Sequence, residues 1–292
     1  MRGGGDAATP GRYMVASSLV QIPLAGVLAL GFGGWPGLGM AGPPIANIVT
    51  SLVPALLQAR ALWRGKLGFV PTLRAPLQLR LFWEILRVGL ISSFSALTAN
   101  LTAMLVTGLV GRFGIAALAG YGIGVRLEFM LVPLAFGIGS GLTTLVGVAA
   151  GANDWHRAVR VAWIGSLISG GIIGLFGWIV ALVPEGWARL FTSDPAVIEA
   201  TVGYITGVAP FYCLFGLAMT LSFASQGAGR MAPPFTAGIT RMIVATAGGW
   251  IALDVLGASL NGVFVAIAAG MICFGALITG PLLVRPWRAR LA

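Results

Sequence analysis

Eight long apolar segments constrain the fold of this chain more than any other feature. Each has about 20 or more residues, the length that an α-helix needs to cross a hydrocarbon layer ~30 Å thick at ~1.5 Å per residue. Turn-forming residues separate them, as in the stretches GAND (151–154) and TSDP (192–195). The pattern predicts an all-α integral membrane protein, a polytopic bundle of about eight transmembrane helices. The segments are 13–32, 40–62, 82–110, 115–151, 158–183, 197–226, 234–256 and 262–283.

The composition excludes a soluble protein. Only 9% of the 292 residues are charged and 58% are hydrophobic, whereas a soluble domain carries about 25% charged residues. The net charge of +10 is divided among the segments between apolar stretches. It therefore fits a membrane topology signal and predicts no nucleic-acid surface. Cys213 and Cys273 lie alone inside apolar segments, and the sequence predicts neither a metal site nor a cofactor.

The basic residues also predict the orientation of the chain. With a cytoplasmic N-terminus, all of the 18 Lys and Arg residues except Arg112, Arg126 and Arg189 fall on the cytoplasmic side, as the positive-inside rule requires. The acidic residues Glu185 and Asp194 lie on the opposite side. We therefore expect both termini in the cytoplasm and a location in the plasma membrane, which in a bacterium is the inner membrane.

The longest segment, 115–151, carries two charges, Arg126 and Glu128. The uncharged stretch 129–152 spans a bilayer by itself, which would leave both charges at the outer interface. If the helix lies deeper, both charges are inside the membrane, where ionisable side chains are costly and point to a functional site. The sequence leaves both depths open, and Glu128 is a candidate for ion coupling.

Segment 234–256 carries a second pair of charges, Arg241 and Asp254, which are too far apart along one helix to pair with each other. Arg241 is one to two turns from the cytoplasmic end, and we expect its long side chain to extend to that interface. Asp254 is close to the outer end, where we expect it to be solvated. It is the second candidate for ion coupling.

A serine lies among glycines in the stretch FGIGSG, with Ser140 between Gly139 and Gly141. This arrangement raises the alternative of an intramembrane serine protease, whose nucleophile needs a histidine within hydrogen-bond reach. The only histidine, His156, follows sixteen residues later, about 24 Å along a continuous helix. The protease is therefore a remote alternative, and we predict that the chain is not an enzyme.

Spaced glycines and prolines predict where helices pack closely or bend. Glycines four residues apart let two helix backbones approach each other, and a proline inside a span removes a hydrogen bond and kinks the helix. The predicted close-packing pairs are Gly137 with Gly141 and Gly147 with Gly151, and the predicted hinges are Pro133 and Pro210.

Two sets of polar and adaptable side chains are candidates for a substrate pathway. Ser93, Asn100 and Thr107 are seven residues apart and share one face of segment 82–110. They either border a substrate cavity or pack against neighbouring helices, and the sequence leaves both possibilities open. Segment 197–226 adds Tyr212, Met219 and Gln226, for which packing is again the alternative.

Several stretches together resemble the multidrug and toxic compound extrusion (MATE) transporters. They are GDAATP…GLGMAGPPIA, LVGRFGIAALAGYGIGVRLE, GIGSGLTTLVGVAAGAND followed by HRAVR, and ASQGAGRMAPP. The resemblance covers nearly the whole chain in the right order. It implies a twelve-helix fold with two six-helix lobes. Residues 1–64 would then be the last two helices of the first lobe, 65–81 a cytoplasmic linker, and 82–292 the complete second lobe.

The resemblance implies a secondary active multidrug efflux transporter. Its partners would be amphipathic or cationic small molecules and the lipid bilayer, its coupling ion H⁺ or Na⁺, and it would need the N-terminal helices that this chain lacks. A lipid-linked precursor flippase of related architecture is the alternative. A flippase needs a strongly basic central cavity, whereas the apolar segments here are nearly free of cations, which favours drug efflux.

The chain departs from the family pattern in its acidic residues. Many relatives have acids within the first and fourth helices of the second lobe. Here the corresponding segments have acids only near their ends, Glu84 and Glu199, and Asn100 lies near a position where an acid would be expected. We therefore expect this lobe to lack a buried carboxylate of its own for ion exchange.

Overall fold

The computed structural model describes residues 8–33, 36–63, 79–284 and 287. The chain divides into two compact units, Met1–Gln78 and Leu79–Ala292, and each is considered by itself. The predicted linker, 65–81, lies outside the described residues except for its last three, which begin a helix.

The first unit contains two antiparallel helices, α1 (Ala8–Leu30) and α2 (Gly42–Trp63). The chain reverses through Gly37 and Gly39, whose positive φ angles of +72° and +55° favour glycine, and through a short 3₁₀ turn. A Cβ on Gly42 would lie 2.5 Å from the carbonyl carbon of Leu28, so glycine is needed for α2 to begin directly against α1.

The second unit is a bundle of helices in which consecutive membrane-length stretches run in opposite directions, with α7 and α8 together forming one stretch. Its helices are α3 (Leu79–Gly111), α4 (Ile115–Gly151), α5 (Trp155–Leu182), α6 (Pro184–Arg189), α7 (Pro195–Val208), α8 (Tyr212–Gly227), α9 (Ala232–Asp254) and α10 (Leu260–Val284). Helix α4 packs against α7 and α8, α5 packs against α8, and α9 packs against both α3 and α10. Two apolar clusters fill the bundle, one around Tyr204 and Phe264 and the other around Val146 and Leu221.

Aspartates begin two of these helices at the predicted turns. The Asp154 carboxylate accepts a hydrogen bond from the backbone N–H of Arg157 at 2.9 Å, and Asp194 accepts one from Ala196 at 2.9 Å. Both satisfy an amide that has no partner within the first turn of its helix. The turn chemistry of GAND and TSDP therefore sets the starts of α5 and α7.

The apolar segments do form membrane-length helices. Among the described residues, seven helical stretches are long and apolar enough to cross a membrane, with α7 and α8 forming one stretch. Helix α3 has 33 residues and is about 50 Å long, although its described apolar stretch is only Leu97–Gly111. These lengths confirm an all-α integral membrane protein.

The predicted segment 197–226 is one transmembrane stretch but not one helix. Helix α7 ends at Val208, a 3₁₀ turn covers Ala209–Phe211, and α8 begins at Tyr212. Pro210 lies in this turn, where its missing N–H and its effect on the preceding residue interrupt the α-helix. Pro133, in contrast, lies inside α4, which continues on both sides of it. A hinge role for either proline stays a prediction.

One of the four glycines predicted for close packing, Gly147, lies near a neighbouring helix among the described residues. A Cβ built on Gly137, Gly141 or Gly151 meets no described atom within 4 Å, and one on Gly147 lies 3.4 Å from the Gly227 carbonyl oxygen. The close contact is at Gly139, where a Cβ would lie 2.7 Å from Cγ of Phe223. Gly147 thus approaches the end of α8, whereas close packing at Gly137, Gly141 and Gly151 stays a prediction.

Candidate functional site

A carboxylate and a guanidinium meet inside the second unit. Arg241 of α9 donates a hydrogen bond from Nη2 to Oε1 of Glu128 on α4, at 3.0 Å. The two side chains are only 21% and 15% exposed, respectively. Tyr204 of α7 donates its hydroxyl to the other carboxylate oxygen, Oε2, at 3.2 Å. Three helices thus contribute to one ionic centre.

This centre lies deep in the membrane-spanning part of the unit. Arg241 precedes the end of α9 by thirteen residues, and Glu128 follows the start of α4 by thirteen. The end of α9 and the start of α4 lie at the same end of the bundle. At ~1.5 Å per residue, Arg241 and Glu128 each lie about 20 Å from it, well within a hydrocarbon core ~30 Å thick. Charges at such a depth are costly unless they are paired, and they mark functional sites.

Aromatic side chains surround the pair. The guanidinium carbon of Arg241 lies 4.9 Å from the centre of the Phe215 ring and 5.9 Å from that of Phe274, distances at which a ring face attracts a cation. The Tyr204 ring contacts Tyr121 edge to face at 5.4 Å. These rings cover much of the pair and pack against the Arg241 guanidinium and the Tyr204 ring.

Tyr212 of α8 completes the cluster. Its ring is fully buried, and it interacts electrostatically with both Glu128 and Arg241. Its phenol group lies next to that of Tyr204. The two tyrosines therefore place a pair of neutral phenols beside the ion pair.

The spacing of small residues along α4 places Glu128 next to Tyr204. Gly120, Gly124 and Glu128 are four residues apart and therefore share one face of α4. Gly120 allows α7 to approach, because a Cβ there would lie 2.8 Å from the Val197 carbonyl oxygen. A Cβ on Gly124 would overlap the Tyr204 ring. The absence of two side chains thus creates the space in which the tyrosine reaches the carboxylate.

Three expectations from the sequence need correction. Arg241 pairs with Glu128 instead of extending to the cytoplasmic interface. The two charges of α4 also separate, since Glu128 faces the bundle interior while the exposed Arg126 lies 5.4 Å from the Phe191 ring. Finally, the unit does contain a largely buried carboxylate, located on its second helix rather than on its first or fourth. Arg241 and Glu128 are far apart in sequence, so no local pattern could reveal their pairing.

Asp254, the other candidate for ion coupling, lies at the end of the bundle. Nη1 of Arg112 contacts its two carboxylate oxygens at 3.0 and 2.8 Å, which joins the ends of α3 and α9. The side chains of Arg112 and Asp254 are 54% and 38% exposed. Ion pairs this exposed contribute little to stability, and Asp254 is not an isolated solvated carboxylate as expected.

The candidate substrate-pathway residues fall into two groups. Ser93, Asn100 and Thr107 are exposed on the surface of the second unit, and the Thr107 hydroxyl donates to the Ala103 carbonyl of its own helix at 2.6 Å. Tyr212 is buried beside the ion pair, whereas Met219 and Gln226 are half-buried along α8. The structure thus brings one of the six next to Glu128, and a pathway role stays a prediction for all of them.

The serine of the glycine-rich stretch has no histidine beside it. Ser140 donates its hydroxyl to the Gly137 carbonyl at 3.0 Å, and α4 continues unbroken from Ser140 to Gly151. His156 lies beyond that end, on α5, with Nε2 at 3.1 Å from Nη2 of Arg160. A serine–histidine dyad does not form in this arrangement.

Comparison with known proteins decides the family. A sequence profile of the family described as MatE matches residues 92–251, more than half of the chain and including α4 and most of α9. The chain belongs to the MatE family. The resemblance to multidrug and toxic compound extrusion transporters is thereby confirmed, and with it membership of a family of multidrug transporters.

Curated MATE relatives are similar over most of this chain. It is 28% identical over 242 residues to the probable multidrug resistance protein NorM of Thermotoga maritima, covering 80% of this chain and 50% of that protein. It is 29% identical over 284 residues to the protein of the same description from Deinococcus radiodurans, covering 92% and 60%. The chain thus spans about half the length of the curated relatives that it matches.

Solved MATE structures share the fold. The Vibrio cholerae MATE transporter VcmN matches with a TM-score of 0.84 at 20% identity, over 97% of this chain and 64% of that one. A transporter of the MOP superfamily from Pyrococcus furiosus matches with a TM-score of 0.83 at 21% identity, over 93% and 61%. The helix bundle of this chain is therefore a MATE bundle.

Proposed function

We propose that this chain is part of a secondary active transporter that exports amphipathic or cationic small molecules in exchange for H⁺ or Na⁺. The observation that carries the proposal is the Glu128–Arg241 pair, an ionic centre within the membrane-spanning part of a MATE-family protein. Because this chain spans about half the length of its curated relatives, the complete activity belongs to a protein that also contains the remaining helices of the first lobe.

Glu128 is the carboxylate proposed to couple ion movement to export. A carboxylate can exchange its counter-ion for a proton, and at this depth each exchange changes the charge inside a low-dielectric region. The carboxylate joins α4, α7 and α9, since its partners are Tyr204 and Arg241. A change in its charge therefore alters contacts among three helices, which is the kind of coupling that a conformational cycle requires.

Charges at the two ends of the second unit support the proposed orientation. The end of the unit with the α4–α5 and α8–α9 turns carries Arg157, Arg160 and Arg230. At the opposite end, Arg112 and Arg189 are each paired with an acid, Asp254 and Glu185, and Asp194 adds a further negative charge. Basic residues favour the cytoplasmic side. The proposal is therefore a plasma-membrane protein, in the inner membrane of a bacterium, with both termini in the cytoplasm.

The structure favours drug export over the flippase alternative. Among the described residues, the positive charge at the depth of the ionic centre is that of Arg241, and the Glu128 carboxylate neutralises it. A pair of opposite charges offers no excess positive charge for a lipid-linked precursor carrying phosphates.

The experiment uses everted membrane vesicles that contain the full-length protein carrying this chain. Ethidium, an aromatic monocation, is added outside, and an H⁺ or Na⁺ gradient is imposed with the higher concentration inside. We expect ethidium uptake under at least one gradient, abolished by the matching ionophore and missing from vesicles without the protein. If folded protein, eluting as a single species from detergent, produces no gradient-dependent uptake, the proposed function is wrong.

A further inference from the structure

Both carboxylate oxygens of Glu128 accept a hydrogen bond from the protein itself. One carboxylate oxygen accepts from Arg241 at 3.0 Å and the other from Tyr204 at 3.2 Å. The guanidinium is held on its far side by the Phe215 and Phe274 rings. The positive charge beside the carboxylate is therefore fixed in place and belongs to the chain.

The charged and titratable groups near Glu128 leave no surplus negative charge for a second cation. Helices α3 and α5 place their described charged side chains near their ends, and α10 carries none between residues 260 and 284. With Glu128 ionised, the cluster consists of one negative charge, one positive charge and neutral phenols. The groups around Glu128 are Arg241 of α9, Tyr204 of α7, Tyr212 of α8 and Tyr121 of its own helix.

Na⁺ and H⁺ place different demands on such a site. A hard metal cation needs several oxygen ligands and would have to lie within a few Å of the guanidinium, where like charges repel strongly in a low-dielectric interior. A proton needs only one carboxylate oxygen, to which it binds covalently, and it requires no further ligands. The guanidinium opposes both cations, but Na⁺ also needs space and several oxygen ligands beside it, so the ion pair disfavours Na⁺ more than H⁺.

We propose that Arg241 is a built-in cation that makes Glu128 selective for H⁺ over Na⁺. The inference rests on the proposed role of Glu128 in ion coupling and specifies the ion. Protonation of Glu128 neutralises the carboxylate and leaves Arg241 as the uncompensated charge of the cluster. Arg241 then determines the ion specificity through its charge, while Glu128 binds the proton.

The same geometry predicts a latent metal-ion site. If a neutral side chain replaces Arg241, the Glu128 carboxylate loses its counter-ion and keeps the Tyr204 hydroxyl as its neighbour. The phenol of Tyr212 lies next to that of Tyr204 and adds a second neutral oxygen to the cluster. These oxygens resemble the ligands that hard cations take in proteins.

The test measures equilibrium binding of ²²Na⁺ to the purified full-length protein in detergent, near neutral pH. Glu128→Gln removes the carboxylate charge, and the difference between a protein and its Glu128→Gln variant is the Na⁺ bound through Glu128. We expect no such difference in the wild type or in Arg241→Lys, which retains the positive charge. Arg241→Met should raise Glu128-dependent Na⁺ binding at least tenfold, and the Glu128→Gln/Arg241→Met double variant should lose that gain.

Two results would overturn the inference. One is saturable Na⁺ binding by the wild type that Glu128→Gln abolishes, a comparison that needs no Arg241 variant. The other is a folded Arg241→Met or Arg241→Gln variant, eluting as the wild type does, that gains no Na⁺ binding. Because binding is measured without transport, a failure of ethidium export leaves this result interpretable. Conversely, Na⁺-driven export that depends on Glu128 would refute the proposed selectivity for H⁺ but would support the proposed transport function.

Discussion

Replacing Gly124 by alanine tests the packing that builds the ionic centre. A Cβ at this position would lie 2.9 Å from Cγ of Tyr204 and 3.0 Å from Cε1, and closer still to Cδ1, whereas carbon atoms in contact prefer about 3.5–4.0 Å. The Tyr204 ring is confined by edge-to-face contacts with Tyr121 and Phe264, both at 5.4 Å. The ring therefore cannot move away from the new methyl group without losing contacts elsewhere.

The expected cost follows from these contacts. Overpacking a core contributes about 1–3 kcal/mol, and displacing the Tyr204 hydroxyl from the Glu128 carboxylate loses a charge-assisted hydrogen bond of about 1.5–3 kcal/mol. Alanine gains up to about 1 kcal/mol over glycine in helix propensity. Gly122→Ala is the matched control, since a Cβ there meets no described atom within 4 Å and the propensity gain is the same.

Thermal unfolding of the purified protein, followed by tryptophan fluorescence, compares the two variants. We expect Gly124→Ala to be less stable than Gly122→Ala by about 2.5–6 kcal/mol, which corresponds to a Tm about 5–25 °C lower by the scaling for domains of this size. Equal Tm values, or a higher Tm for Gly124→Ala, would refute the packing that places Tyr204 against α4.

Further substitutions test the glycine contacts of α4 and the role of Asp254. Gly139→Ala should lower the Tm by about 2–10 °C, because its methyl group would meet the Phe223 ring. Gly141→Ala should leave the Tm unchanged or raise it, since a Cβ there meets no described atom within 4 Å; a larger loss of Tm for Gly141→Ala would show that Gly141 packs closely instead. Asp254→Asn should lower the Tm by less than about 3 °C and leave ethidium export intact, because its exposed pair with Arg112 contributes at most about 1 kcal/mol. Loss of export in this variant would return Asp254 to the ion-coupling candidates.

The sequence predicts the architecture well, because the length of an apolar segment and the residues at its ends act locally. The predicted segment 115–151 coincides with α4 (Ile115–Gly151), and the turns around Asp154 and Asp194 contain the expected caps. The short helix α6 escaped prediction because six residues are too few for a hydropathy pattern. The interruption at Pro210 follows the kink predicted there, since proline removes a backbone donor.

The ionic centre was only half predictable. Glu128 stood out as a charge inside an apolar segment, whereas its partner Arg241 was assigned to the interface because a single helix considered alone offers a cation no better place. The pairing depends on how α9 lies against α4, which local periodicity does not encode. One available signal was missed: Gly120 and Gly124 lie at the four-residue spacing that ends at Glu128, and this spacing marks the face of α4 that contacts Tyr204.

Ethidium export by Glu128→Gln tests the central claim, that the membrane-embedded carboxylate couples ion movement to transport. The measurement uses everted vesicles with the full-length protein under the gradient that drives the wild type, with Asp254→Asn as the matched loss of one carboxylate at the end of the bundle. We predict at least a tenfold loss of gradient-driven uptake for Glu128→Gln and near wild-type uptake for Asp254→Asn. Wild-type uptake by a folded Glu128→Gln variant would contradict the account.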